Sequence, residues 1–186
     1  MSIQIYYKNS ALKKLSTNLV LFVEENFNIS SLKKHISSVE FSYISDLLKN
    51  SDLKKNLLSF EVNSKKRIFL VSIKKNLEAS DIESLGAEFY NYIKHNKKSE
   101  YFINSDSINN KFENFLGHFL HGLKLKSYEF NIYKSKQATK PTSIIIIGNK
   151  KKITTQNELR FKAIEEGTFF ARDLVSEPPN VLNPKE

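Results

Sequence analysis

Leu19-Val20-Leu21-Phe22-Val23 is apolar at every position and stops at Glu24-Glu25. A strand with one wet face alternates apolar and polar residues. A strand with no polar break must be covered on both sides, as in parallel sheets flanked by helices. Ile68-Phe69-Leu70-Val71-Ser72-Ile73 has the same character and reads as a central strand. Ile144-Ile145-Ile146-Ile147 closes a last strand, 142–147, at Gly148. Any fold for this chain must supply helices to both faces of such a sheet.

The intervening segments supply them. Phe41, Ile44, Leu47 and Leu48 recur at helical spacing and predict a short amphipathic helix over 41–50. Ser80 and Glu83 have capping-box spacing, ahead of a stripe of Ile82, Leu85, Phe89 and Ile93. Phe112, Phe115, Leu116, Phe119 and Leu123 mark a third helix, with Asn110 and Glu113 as its expected cap. Thr155 and Glu158 are expected to cap a long final helix. Its stripe is Leu159, Ala163, Gly167, Phe170 and Leu174, widened by Ile164, Ala171 and Val175. Pro178-Pro179 ends it, because proline lacks the N–H donor and restricts the residue before it.

The remaining strands are expected at 3–7, 57–62, 67–73, 100–103 and 129–133. Polar Asn63-Ser64-Lys65-Lys66 makes a hairpin of 57–62 and 67–73. Alternating strands and helices predict an α/β three-layer sandwich with a mixed, mostly parallel sheet, followed by a linker helix. The expected division is an α/β domain over 1–149, then a linker helix and the start of a junction over 150–186. That helix has an apolar stripe and no domain behind it, so the chain reads as a fragment whose continuation is absent.

A hydrophobic fraction of 40% is enough for a sizeable core. With no cysteine, disulfides, thiolate zinc sites and cysteine nucleophiles are excluded. The N-terminus is not a signal peptide, and no apolar run approaches the roughly 20 residues a bilayer needs. A cytoplasmic protein with no membrane partner is the default. The net charge of +9 admits nucleic-acid binding. It fits better the lysine-rich usage of an AT-rich genome, because pairs such as Lys33-Lys34, Lys54-Lys55 and Lys65-Lys66 flank elements instead of lining one helix face.

No catalytic, cofactor-binding or metal-binding residue is expected. His118 and His121 lie three apart on a helix and could share a metal. No Asp or Glu follows at suitable helical spacing, so they are expected to face solvent or an interface, and His35 and His95 stand apart. Asp173 is a single carboxylate and makes a poor cation site. No Gly-x-Ser-x-Gly turn occurs, and the five glycines are unclustered, so no phosphate loop is present.

Two segments carry a resemblance. Arg172-Asp173-Leu174-Val175-Ser176-Glu177-Pro178-Pro179-Asn180-Val181-Leu182-Asn183-Pro184 resembles the junction segment of the leucyl aminopeptidase family (peptidase family M17). Ser176 stands where the family has Asn, and Asn183 where it has Thr. Gly122-Leu123-x-Leu125-x-x-Tyr128-x-Phe130-x-x-Tyr133-Lys134 resembles a second segment, in the family's N-terminal domain. The chain is therefore identified as that N-terminal domain plus the junction to a catalytic domain. Tyr128, Phe130 and Tyr133 are expected to be packing residues.

The resemblance implies a macro-domain-like fold. It implies a parent aminopeptidase, typically homohexameric, that removes N-terminal residues from peptides with two divalent metal ions, zinc or manganese. No segment matches the family's metal-binding blocks, so the fragment is expected to lack activity and cofactors. Its expected role is in oligomer assembly and in access to the active-site chamber, with its own catalytic domain as partner. The alternative is the basic nucleic-acid-binding module of a bifunctional aminopeptidase. Macro-type folds bind ADP-ribose through glycine-rich loops; this chain has none, so no nucleotide binding is expected.

Overall fold

Strand β2 (Asn18–Glu24) is buried at every residue except Glu24. Its side chains alternate across the sheet and so enter two cores. Val20 and Phe22 pack with Phe89 and Phe119 on one face. Leu19, Leu21 and Val23 pack with Ile44 and Leu48 on the other. The chain is seen in a computed structural model that describes residues 3–8, 18–96, 100–109, 112–133, 141–148, 153–179 and 181. Asn110, Lys134, the boundary at Asn149, Lys150-Lys151, Asn180 and Leu182-Asn183-Pro184 lie outside the described residues.

Around β2 are β1 (Ile3–Lys8), β3 (Leu57–Glu61), β4 (Arg67–Ile73), β5 (Glu100–Asn104) and β6 (Thr142–Ile147). One sheet results, ordered β1-β6-β5-β2-β4-β3. All neighbours are parallel except the β3–β4 hairpin. Helix α1 (Ser38–Leu48) covers one face; α2 (Ala79–Ile93) and α3 (Phe115–Lys126) cover the other. The mixed, mostly parallel three-layer α/β sandwich is present. Helix α4 (Thr155–Ser176) lies outside it, against α3.

The expected strand at 129–133 does not form. Residues 128–131 are irregular and 132–133 form a turn. β6 is already paired on both sides, with β1 and β5, so it offers no free edge. The segment instead turns toward α4. The Tyr128 ring stacks on Phe169 at 5.4 Å, the Tyr133 hydroxyl donates to Glu177, and Ile132 stays exposed.

All four expected helix starts also shift. α1 spans Ser38–Leu48 instead of 41–50, because Ser37 and Glu40 form a capping box ahead of Phe41. α2 begins at Ala79, where the Asp81 carboxylate accepts the Glu78 N–H at 2.9 Å. Ser80 therefore lies inside the helix, and Glu83 is free to reach α3. α3 begins three residues beyond Phe112, because Asn114 takes a left-handed conformation at φ 56°. Thr154, not Thr155, caps α4, its hydroxyl accepting the Asn157 N–H at 3.3 Å.

α2 and α3 cross almost backbone to backbone. A Cβ on Gly86 would sit 2.0 Å from the Phe119 carbonyl oxygen, and one on Gly122 would sit 1.9 Å from that of Glu83. Only glycine permits this approach, and it brings Glu83 within reach of His118.

Candidate functional site

In open α/β sheets, ligands bind beyond the carboxyl ends of strands where successive connections leave to opposite faces. β2 and β5 are such a pair: β2 leads to α1 on one face and β5 to α3 on the other. Here the chain fills that position with its own polar side chains. Asn104, Ser105 and Ser107 are buried. Asn104 donates its amide to His35 Nδ1 at 3.0 Å and accepts the Asp106 N–H at 3.0 Å. Ser107 accepts the Phe22 N–H at 2.9 Å and donates to the Asn104 carbonyl at 2.7 Å. Ser105 donates to the Ile147 carbonyl at 3.1 Å.

Gly148, with φ 106°, turns the chain off β6 so closely that a Cβ would meet the Ser105 hydroxyl at 2.6 Å. At the rim, Asn109 donates to Glu24 at 2.8 Å. These polar groups are committed to partners within the chain.

A second polar cluster lies in the seam between α3 and α4. Glu165 is buried at 6% exposure. One carboxylate oxygen faces His121 Nδ1 at 3.2 Å, and the other accepts from Lys124 Nζ at 2.8 Å. His118 Nδ1 meets Glu83 at 3.0 Å. Between them Phe161 presses its ring against both histidines, at 5.0 and 5.1 Å between centroids. Gly117 makes room for it, since a Cβ there would lie 2.5 Å from the ring.

Farther along, Tyr128 donates to Asp173 at 2.7 Å and Arg172 donates to the Leu125 carbonyl at 2.6 Å. Arg172 and Asp173 do not pair with each other but meet on Tyr128, whose hydroxyl donates to Asp173 and whose ring lies 5.4 Å from the Arg172 guanidinium. The Tyr128 hydroxyl is held above its usual range by desolvation and then by Asp173; that of Tyr133 chiefly by Glu177. Both remain protonated donors and clamp the start of the junction motif onto 128–133. Tyr7, on β1, is pushed up to about 12 by burial, with Glu158 of α4 adding to it.

The expectation that His118 and His121 face solvent or an interface resolves toward the intrachain interface. His121 is buried, and each ring has a carboxylate partner from another helix. Those partners are 35 and 44 residues away in the chain, beyond any same-helix spacing rule. His95 is exposed at the end of α2. Among the described residues no three His, Cys, Asp or Glu side chains converge to hold a metal. The described residues therefore do not fit a two-metal centre. No helix among them is long and apolar enough to cross a membrane.

Comparisons with known proteins agree on one family. The model described as "Cytosol aminopeptidase family, N-terminal domain" matches residues 20–137. A probable cytosol aminopeptidase of Pasteurella multocida is 24% identical over 95% of this chain and 38% of its own length. One from Rhizobium rhizogenes is 33% identical over 60% of this chain and 24% of its own length. Among solved structures, a tomato leucine aminopeptidase mutant superposes with TM-score 0.70 at 19% identity, over 99% of this chain and 40% of that one. The bottromycin maturation enzyme BotP in complex with Mn superposes with TM-score 0.62 at 12% identity, over 92% and 34%. Such identities speak to the fold. The chain spans between 24% and 40% of the length of these relatives.

Proposed function

The chain belongs to the cytosol aminopeptidase family and carries its N-terminal domain, and from that premise we propose that it is the non-catalytic part of a metal-dependent leucyl aminopeptidase. The parent enzyme releases N-terminal residues from peptides in the cytoplasm. The observation that carries this reading is the family match over 20–137 in a chain whose described histidines pair with carboxylates or amides of other elements, or stand alone.

Two divalent ions, zinc or manganese, belong to the catalytic portion, where they activate water and polarise the scissile carbonyl. The Mn complex of a structurally similar enzyme supports manganese as one candidate. Residues 1–149 form the domain proper, and 150–186 form the linker helix and the opening of the junction. Its role is assembly of the oligomer, a homohexamer by family resemblance, and control of access to the catalytic chamber.

Equilibrium dialysis against Mn2+ and Zn2+ tests this. The parent polypeptide binds two ions per chain and this chain binds none; stoichiometric binding of two ions by this chain would sink the reading. The filled crevice between β2 and β5 gives a second expectation. ADP-ribose titrated into the chain in a calorimeter releases no binding heat, and saturable micromolar binding would count against it.

A further inference from the structure

Four of the five glycines have a local reason. Gly86 and Gly122 let α2 and α3 cross backbone to backbone, Gly117 admits the Phe161 ring, and Gly148 holds a positive φ. Gly167 is the exception. It sits in the interior of α4 with nothing within 4 Å of where its Cβ would be. A glycine there costs the helix roughly 1 kcal/mol relative to alanine.

Its surroundings are equally unaccounted for. Leu159, Ala163, Gly167, Phe170 and Leu174 share one side of α4 at helical spacing. That side faces away from the body of the protein: Leu159 is 63% exposed, Phe170 65% and Val175, at its margin, 88%. The opposite side, with Phe161, Glu165 and Phe169, is the one that meets α3 and Tyr128. α4 is thus amphipathic in the reverse sense for a surface helix. Beyond Pro178-Pro179, Val181 is a further exposed apolar side chain.

We propose that this outward face of α4 docks an apolar surface of the catalytic portion of the same polypeptide, with the closest backbone approach at Gly167. The proposal rests on the reading of the chain as an N-terminal domain. The occupant follows from three observations. The relatives are longer than this chain by more than half of their own length. The superposition on the tomato enzyme covers 99% of this chain, so the larger relative keeps α4 as part of the shared fold. The exposed apolar side chains lie on the helix nearest the junction segment, where a following domain has the highest effective concentration. Inside this chain, glycine on a helix already marks backbone approach at Gly86 and Gly122, and Gly167 repeats that device toward a surface outside it.

The test compares Gly167→Ala and Gly167→Leu in this chain and in the full-length parent. In this chain neither substitution lowers the melting temperature, because the open position accepts either side chain. In the parent, Gly167→Leu splits a single thermal transition into two and speeds proteolysis around 177–186 at least tenfold. An unchanged transition and cleavage rate in the parent would overturn the proposal. A concentration-dependent dimer of this chain in sedimentation, abolished by Gly167→Leu, would overturn it in favour of a second copy. A parent that holds two metal ions yet ignores Gly167→Leu rejects only the docking face; a parent that holds no metal rejects the N-terminal-domain reading beneath it.

Discussion

Glu165 is the side chain on which the α3–α4 seam turns. It is buried, and two neighbours, His121 and Lys124, satisfy its two oxygens. Removing one member of a buried polar cluster leaves the others desolvated and unpaired, which costs more than the pair contributes. Glu165→Ala is expected to destabilise the chain by about 2 kcal/mol in urea unfolding, with faster amide exchange in α4 than in α2. Lys124→Met is expected to cost less, because Glu165 then keeps His121 at its other oxygen, whereas Glu165→Ala removes the partner of both neighbours. Equal losses for the two variants would show that the carboxylate is not the pivot.

Glu40 plays a comparable part for α1. Burial opposes its charge, but the Lys66 ammonium at 2.5 Å and the N–H and hydroxyl of Ser37 outweigh burial and lower its pKa from 4.5. A lowered carboxylate contributes stability above its unfolded value and loses it as pH falls through the folded value. The stability difference between the native chain and Lys66→Gln should therefore be constant near neutrality and shrink below about pH 4. A difference that grows on acidification would contradict the pairing.

Among the elements, the α2–α3 crossing is the least tolerant. Gly86→Ala and Gly122→Ala each force a Cβ to about 2 Å from a carbonyl oxygen, and each is expected to lower stability by 3 kcal/mol or more. Gly167→Ala in this chain should do the reverse, adding about 0.5–1 kcal/mol. Chemical denaturation of the three variants checks both signs.

The same elements show what could be read from sequence. β2, β4 and β6 were legible because an unbroken apolar run has few places to go other than a covered strand. Alternation at 129–133 misled because Phe130 and Ile132 carry no information about whether a sheet edge is free. The Ser80/Glu83 and Glu78/Asp81 pairs overlap, and both are acidic enough at the third position to cap a helix; only the packed structure selects the second. The stripe on α4 and its lack of a covering domain were legible; which residues of the opposite side hold the helix to α3 was not. The inward side rests on a few aromatic residues and Glu165, too sparse to register as a stripe. The histidine pairs were invisible because their partners come from α2 and α4.

For the whole molecule, several of the cations behind the sequence's basic character have local partners among the described residues. Lys66 and Lys124 sit against carboxylates, Lys49 pairs with Asp46, and Lys33 lies over the Phe41 ring. The fold presents a filled crevice where related architectures open a ligand site, and an apolar helix face where an isolated domain would be polar. Both features accord with the proposed division between this domain and a catalytic portion.

Hydrolysis of leucine p-nitroanilide in the presence of Mn2+ or Zn2+, measured for this chain and for its full-length parent at equal molar concentration, puts that division of labour to the most direct test. The expected result is metal-dependent release of nitroaniline by the parent and a rate at the buffer blank for this chain. Metal-dependent turnover by this chain alone, abolished by a chelator and restored by added metal, would contradict it.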